Sequence, residues 1–368
     1  MGVTFNDMLT SFVQRGASDI HLHAGLLPMV RLSGRLTPVG ETKLTPAVTA
    51  TLVDIMCDAR QKARFLEHHQ VDLAYSIPGV ARFRVNLFRQ RGSVSAVLRV
   101  INSDESQLKV VNLAPELLRY FRDQEKGLIL VTGPTGSGKS TTLTRIIDEI
   151  NSVHNKMIIT VEDPIEYLHR PKRSVIVQRE IGVDALSFSE ALVAAMRQDP
   201  EVIMIGEIRD YATASAAISA AQTGHLVLST LHTLDTVRTV NRVLELFPPY
   251  ERASARILFA DALVGIVSQR LLPRVGGGRV AALEVMKGTL RIKDLLRDES
   301  RYGELYDALK DSKLDGMQLF DDALADLYAA GAIAFDTGLH AATSAQAFKL
   351  AATQIDLQRS EGREGVFG

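Results

Sequence analysis

Residues 133–140 read Gly-Pro-Thr-Gly-Ser-Gly-Lys-Ser and follow directly on the apolar run Leu128-Ile129-Leu130-Val131. The spacing G-x-x-x-x-G-K-[ST] is that of a phosphate loop, and the setting is the one its chemistry requires: a strand, a glycine-rich curl and a helix that begins at the lysine. Gly133, Gly136 and Gly138 let the chain through Pro134, Thr135 and Ser137 curl, so that backbone N–H groups point inward and form an anion nest. The helix N-terminus adds partial positive charge. Lys139 can reach β- and γ-phosphates, the Ser140 hydroxyl can ligate Mg²⁺, and Thr141 continues the first helical turn. The expected ligand is a nucleoside triphosphate.

Three further strand ends carry polar chemistry. Ile158-Ile159-Thr160-Val161 runs into Glu162-Asp163-Pro164-Ile165-Glu166. A carboxylate at such a tip, beside a nucleotide, can position or deprotonate an attacking water. Val202-Ile203-Met204-Ile205 ends in Gly206-Glu207, the place where phosphate-loop proteins put a Mg²⁺-directed carboxylate. Gly224-His225-Leu226-Val227-Leu228-Ser229-Thr230-Leu231-His232 brings His232 just past a strand end, within reach of a γ-phosphate, although one histidine alone reads by default as a hydrogen-bonded core residue. Taken together, four aligned strand ends in one α/β domain form a catalytic constellation.

A separate stretch between Val80 and Ser103 holds five arginines (82, 84, 89, 91 and 99) and no acid. In ARFRVNLF the alternation is strict, placing Arg82, Arg84 and Asn86 on one sheet face and Phe83, Val85 and Leu87 on the other. Guanidinium forks on one face suit a phosphate or carboxylate, and a solvated basic face is the competing reading.

These sites need two domains to hold them, and 368 residues suffice for two or three. Residues 1–105 read as a small α+β domain. A helix carries Phe5, Met8, Leu9, Phe12 and Val13 behind Thr4. Strands follow at 19–23, 29–32, 71–75, 81–88 and 94–101, with a helix opened by Thr45-Pro46 and bearing Leu52, Ile55 and Met56. Residues 102–114 fit a linker. From 115 to 355, apolar strands at 128–132, 157–161, 202–206 and 225–230 alternate with helices, which predicts a parallel sheet covered on both faces. Beyond about 250 the pattern becomes mostly helical, with a strand near 279–286, and residues 356–368 read as a polar, frayed tail.

The net charge of −1, the absence of tryptophan and 6% aromatics argue against a nucleic-acid translocase, which needs a basic groove with stacking rings. One cysteine, Cys57, excludes an internal disulfide and a cysteine-rich zinc site. The N-terminal MGVTFNDMLTSF has no basic region before an apolar core, so no secretory signal is expected, and the chain reads as cytoplasmic. No Asn-Lys-x-Asp motif is present to read guanine; Asn155-Lys156-Met157-Ile158 lacks the acid.

GPTGSGKST, TVEDPIE, IGEIRD and GHLVLSTLHT, in that order, resemble the phosphate loop, Asp box, Walker B and His box of the secretion-type ring ATPases. GASDIHLHAGLLPMVRLSGRL and ARFRVNLFRQRGSVSAVLR narrow the resemblance, over about residues 4–350, to the PilT-like type IV pilus retraction ATPases. The resemblance implies an α/β protein: a RecA-like phosphate-loop domain, a smaller PAS-like N-terminal domain and a helical C-terminal region. It implies a homo-hexamer that binds ATP and Mg²⁺ in sites shared between subunits. Such a motor acts beneath the inner membrane on a pilus platform protein, in company with a paralogous retraction ATPase and without nucleic acid.

Carried over by position, Lys139 and Ser140 hold phosphates and Mg²⁺, Glu162 is the general base and Glu207 coordinates Mg²⁺, the two acids being exchangeable in role. His232 senses the γ-phosphate and His225 supports the ring. Two N-terminal arginines of the family, fifteen positions apart, reach the nucleotide; Arg84 and Arg99 have that spacing, with Arg82 a lesser candidate. The chain departs from the family's AIRNLIRE-like motif at LRIKDLLRD, where Lys293 and Asp294 replace Arg and Asn. That departure leaves open a principal motor or an accessory paralogue.

Overall fold

The computed structural model describes residues 4–101 and 113–364, the last five of them as backbone. It divides into two units, Met1–Ser103 with Pro164–His169, and Asp104–Asp163 with Arg170–Gly368. The expected linker lies outside the described residues except for 113–114, where Leu113 is buried.

The first unit runs α1 (Phe5–Gln14), β1 (Asp19–His23), β2 (Met29–Leu32), β3 (Arg35–Pro38), α2 (Pro46–Met56), α3 (Ala59–His68), β4 (Gln70–Ile77), β5 (Ala81–Gln90) and β6 (Ser93–Ile101). Its six strands form an antiparallel sheet in the order β3-β2-β1-β6-β5-β4. Thr4 and Asp7 close a reciprocal cap on α1, satisfying N–H groups that the helix itself cannot. Leu9, Phe12, Leu52, Met56 and Phe65 from the helices pack on Ile20, Leu22, Phe83, Val85, Leu87, Ala96 and Leu98. This leaves Arg84 and Asn86 on the opposite sheet face, as alternation requires.

Strand β3 and helix α3 were not expected, whereas a turn at Ser33-Gly34 was. The β2–β3 hairpin turns on Ser33 and Gly34, both at positive φ, as a tight two-residue turn demands. Helix α3 buries Phe65 but is otherwise so polar that its apolar periodicity is faint; its start is fixed by a cap between Asp58 and Gln61. Ile55, expected on the core face of α2, is 43% exposed; Leu52 and Met56 are buried.

The second unit opens with α4 (Pro115–Arg122), β7 (Gly127–Thr132), α5 (Lys139–Val153), β8 (Met157–Glu162), β9 (Val175–Glu180) and α6 (Phe188–Ala195). It continues through β10 (Val202–Ile205), α7 (Tyr211–Gln222), β11 (Leu226–Leu231), α8 (Thr236–Glu245) and α9 (Arg252–Ala262). It closes with β12 (Leu263–Pro273), β13 (Arg279–Lys287), α10 (Leu290–Arg297), α11 (Leu305–Asp311), α12 (Phe320–Ala329), α13 (Phe335–Ala341) and α14 (Ala345–Glu364).

The strand order is β13-β12-β7-β11-β10-β8-β9, parallel throughout except for the antiparallel edge strand β13. Both faces are covered, as a parallel sheet requires. On one, α4 and α5 pack Leu118, Phe121, Leu143 and Ile147 on Ile129, Val131 and Leu228. On the other, α6 to α10 pack Leu192, Ala217, Val240, Phe259 and Leu295 on Leu128, Leu130, Ile203 and Val227.

The region beyond 250 is mostly helical, as expected, but it holds a strand that was not expected. Helix α9 ends at Ala262 and the eleven-residue strand β12 begins at Leu263 with no glycine or proline between them. Without that punctuation the sequence gives no sign of the change. Nor is the C-terminal stretch frayed where the structure describes it. Helix α14 continues to Glu364, and Asp356 accepts from the Tyr328 hydroxyl at 2.9 Å while Arg359 donates to the Tyr328 carbonyl at 2.8 Å.

Candidate active site

The parallel register brings four chain segments to one edge of the sheet. Leu231 lies opposite Thr132, and Ile205 opposite both Ser229 and Val161, so the loop after β7, His232, Glu207 and Glu162 all leave the sheet at its carboxyl edge. In a doubly wound sheet this is where ligands bind.

The loop itself shows the expected curl. Gly133, Gly136 and Gly138 have φ of 147°, 77° and 90°, conformations that side chains disfavour. Helix α5 then starts at Lys139 without a side-chain cap, so its first N–H groups remain available to an anion. By contrast, α7 and α8 are capped by Asp210 and Asp235.

Lys139 is 9% exposed, and its Nζ donates to the carbonyls of Gly133 (2.9 Å) and Pro134 (3.2 Å). The same Nζ lies 3.3 Å from His232 Nδ1. An ammonium can only donate, so Nδ1 accepts and the proton of a neutral ring sits on Nε2. That nitrogen faces Glu207 Oε1 at 3.2 Å, and the other Glu207 oxygen meets Arg209 at 2.7 Å. The Glu207 carboxylate in turn pushes the Arg209 guanidinium pKa up. A continuous chain Lys139–His232–Glu207–Arg209 thus crosses three adjacent strand ends.

Glu162 is buried on the α5 face, where Oε1 accepts from Thr160 Oγ1 at 2.7 Å and Gln178 Nε2 at 3.1 Å. Close packing at Gly206, whose N–H reaches the Val161 carbonyl at 2.7 Å, draws the ends of β8 and β10 together. The Ser229 and Thr230 hydroxyls donate to the carbonyls of Ile205 and Gly206, fixing the strand end that presents Glu207. Asp163 and Glu166 are exposed. Ser140 and Thr141 lie in the first turn of α5.

His225 is not with these residues. It precedes β11, at the sheet's amino edge, roughly 20 Å of extended strand from His232. There its Nδ1 lies 3.0 Å from the Ala220 carbonyl, and its own carbonyl accepts from Gly127 N–H. In this chain its ties are to the end of α7 and to the backbone of Gly127.

Arg84 and Arg99 belong to the first unit, where they are direct cross-strand partners on the open sheet face. Arg99 Nε donates to Asp19 Oδ1 at 2.9 Å, and Arg82 is half-buried. Three residues escaped the sequence reading. Arg209 stood inside the IGEIRD segment and carried the signal of an adjacent opposite charge. Gln178 and Gln269 lie on β9 and β12, strands that the reading did not recognise.

The arrangement can grip a polyphosphate, polarise its terminal group and hold a carboxylate near a water. Residues 2–308 match the model of the type II/IV secretion system protein family. The type IV pilus retractation ATPase PilT of Pseudomonas aeruginosa is 43% identical over 328 residues, covering 89% of this chain and 94% of that protein. The type IV pilus ATPase PilU of the same organism is 38% identical over 94% of this chain and 90% of its own length. A crystal structure of the pilus retraction motor PilT with bound ADP superposes with a TM-score of 0.84 at 40% identity, covering 94% of this chain and 98% of that one. The chain belongs to the type II/IV secretion system protein family and is an ATPase similar to the pilus retraction ATPases.

Proposed function

We propose that this ATPase is a hexameric motor that powers type IV pilus retraction, and hence twitching motility, by coupling ATP hydrolysis to rotation between a PAS-like N-terminal domain and a RecA-like one. The observation that carries the reading is the Lys139–His232–Glu207 chain across adjacent strand ends, in a protein similar along nearly its whole length to retraction motors. Lys139 and the loop N–H groups bind the phosphates, and His232 moves with the γ-phosphate. Glu162 takes a proton from the attacking water, while Arg84 and Arg99 reach a neighbouring subunit's nucleotide. Electrostatic clamping of the transferring group supplies most of the rate in such chemistry.

Among the described residues no three His, Cys, Asp or Glu side chains cluster as a metal site. Mg²⁺ suits this donor set all the same, because it keeps its waters and takes one or two protein oxygens beside phosphate. Ser140 and Glu207 would hold it, and it would neutralise charge on the phosphates. Among the described residues no helix is long and apolar enough to cross a membrane. The proposed location is the cytoplasmic face of the inner membrane, against a pilus platform protein.

An accessory role beside a principal motor is the second reading, favoured by Lys293 and Asp294. Lys293 donates to the Asp261 carbonyl at 2.9 Å, while Arg297 pairs with both Asp261 and Asp294.

Turnover measured together with native mass tests the proposal. A six-subunit particle that hydrolyses ATP without nucleic acid, and loses this with Lys139→Ala, is expected; a monomer stimulated by DNA would overturn it. Retraction in a strain carrying this chain as its sole motor separates principal from accessory.

A further inference from the structure

Strand β12 flanks the phosphate loop on the side away from His232. Its residue Gln269 is 2% exposed and belongs to none of the four boxes. Its side-chain amide is engaged at both ends: Nε2 donates to the Ser137 carbonyl at 2.5 Å, and Oε1 accepts from the Thr142 hydroxyl at 2.8 Å. The O/N assignment follows from the partners, since the Ser137 carbonyl can only accept. Two loop glycines also face this residue. A Cβ on Gly133 would run into the Gln269 carbonyl oxygen, and one on Gly138 would stand 3.1 Å from Nε2.

A trans peptide is planar, and its C=O and N–H point in opposite directions. Anchoring the Ser137 carbonyl on Gln269 therefore aims the Gly138 N–H away from β12. The Thr142 bond ties the same amide to the first turn of α5, so loop and helix N-terminus are held as one body. We infer that Gln269 is a positioning residue: it fixes the Ser137–Gly138 peptide so that the Gly138 N–H is set to meet a nucleotide phosphate before the nucleotide arrives. This rests on the nucleotide-binding reading above. It adds a residue that contacts no substrate and acts by pre-organising a donor, which lowers the ordering cost of binding.

Gln269→Glu keeps the shape and turns the donor into a carboxylate facing a carbonyl oxygen. Once protonated, the same acid can again donate to Ser137 and accept from Thr142. ADP affinity of the purified full chain, measured by calorimetry at pH 8 and pH 5.5 and expressed relative to wild type, reads this directly. At pH 8 the variant is expected to bind ADP about tenfold more weakly, the size of one lost buried hydrogen bond. At pH 5.5 the deficit should shrink to about threefold or less as the buried acid takes up its proton.

Gln269→Met loses both bonds without gaining charge and should be weak at both pH values. It serves if Gln269→Glu does not fold. Melting of the nucleotide-free protein is recorded alongside. A drop in melting temperature with wild-type ADP affinity in either variant makes Gln269 merely structural and overturns the inference, as does a Gln269→Glu deficit that ignores pH. Wild-type protein that binds no ADP would instead remove the nucleotide reading itself.

Discussion

Arg84 and Arg99 face each other directly across β5 and β6, two like charges at adjacent positions on one sheet face. Such pairs cost stability unless an anion intervenes. Asp19, opposite Arg99 on its other flank, relieves one of them. Burial raises the Asp19 pKa, but Arg99, Ser18 and Arg31 outweigh it and hold the carboxyl below its usual value. Arg84 is exposed and has no carboxylate partner among the described residues.

Arg84→Ala should therefore leave the protein as stable as wild type or more so, by about 0.5 kcal/mol, while lowering ATP turnover at least about tenfold. Denaturant unfolding and steady-state hydrolysis check the two halves. If the arginine serves a neighbouring subunit, mixing this variant with Glu162→Gln should restore part of the activity; mixtures that stay inactive would count against sites shared between subunits.

Glu162→Gln should retain nucleotide binding and lose hydrolysis by about 100-fold or more, the contribution of a general base. Glu207→Gln should instead raise the Mg²⁺ concentration needed for half-maximal turnover. If the two phenotypes exchange, the acids exchange roles.

Glu284, buried on β13, accepts from both the N–H and the hydroxyl of Thr236 at 2.8 Å. Its other oxygen faces the N–H of Phe320 at 3.4 Å, so one carboxyl joins the starts of α8 and α12. Burial pushes its pKa up, against the lowering effect of those bonds. With the native pKa above the unfolded one, the native state holds more protons, and stability must fall as pH rises from the ordinary glutamate value through the native pKa. In Glu284→Gln that decline should flatten. Unfolding free energies at pH 5 and pH 8 decide the matter, and equal slopes in the two proteins would refute it.

Gly133→Ala places a Cβ against the Gln269 carbonyl oxygen and Ser137 Oγ, at a φ of 147° that only glycine adopts freely. We expect a loss of about 2 kcal/mol or more, visible as a lowered melting temperature. Gly136→Ala meets nothing within 4 Å and bears only the conformational cost of its φ of 77°, so it should melt closer to wild type.

Much of the site was legible because its chemistry is local in sequence. The phosphate loop, TVEDPIE and IGEIRD each carry their own strand, stop and functional group within about ten residues. The five-arginine stretch showed its faces through strict alternation. What escaped depends on contacts distant along the chain. Gln269 meets Ser137 across 132 positions, and nothing in SQRLLP announces it. His225 and His232 bracket one strand, yet only the strand's direction says which end the nucleotide sees. Helix α3 and strand β12 were missed because one lacks a strong apolar stripe and the other lacks a boundary residue.

Strand β12 carries an irregularity between Leu263 and Gly265, which pair with the consecutive residues Leu128 and Ile129 and leave Val264 as an insertion. Beyond it, Ser268 pairs with Thr132 and its hydroxyl lies 2.6 Å from that of Thr132 on the α8 side. Gln269, one residue on, therefore projects to the α5 side. The insertion works as slack: it takes up one residue at the junction with α9, so that Leu263 and Gly265 both stay in step with β7 and the residues beyond keep their faces. Deleting Val264 would make Leu263 and Gly265 neighbours on the consecutive partners Leu128 and Ile129 and leave the amide on its side, whereas one residue added between Gly265 and Gln269, with the Gly265 pairing held, would carry the amide round to the hydroxyl cluster and strip the loop's back wall of its brace, although no loop residue had been changed.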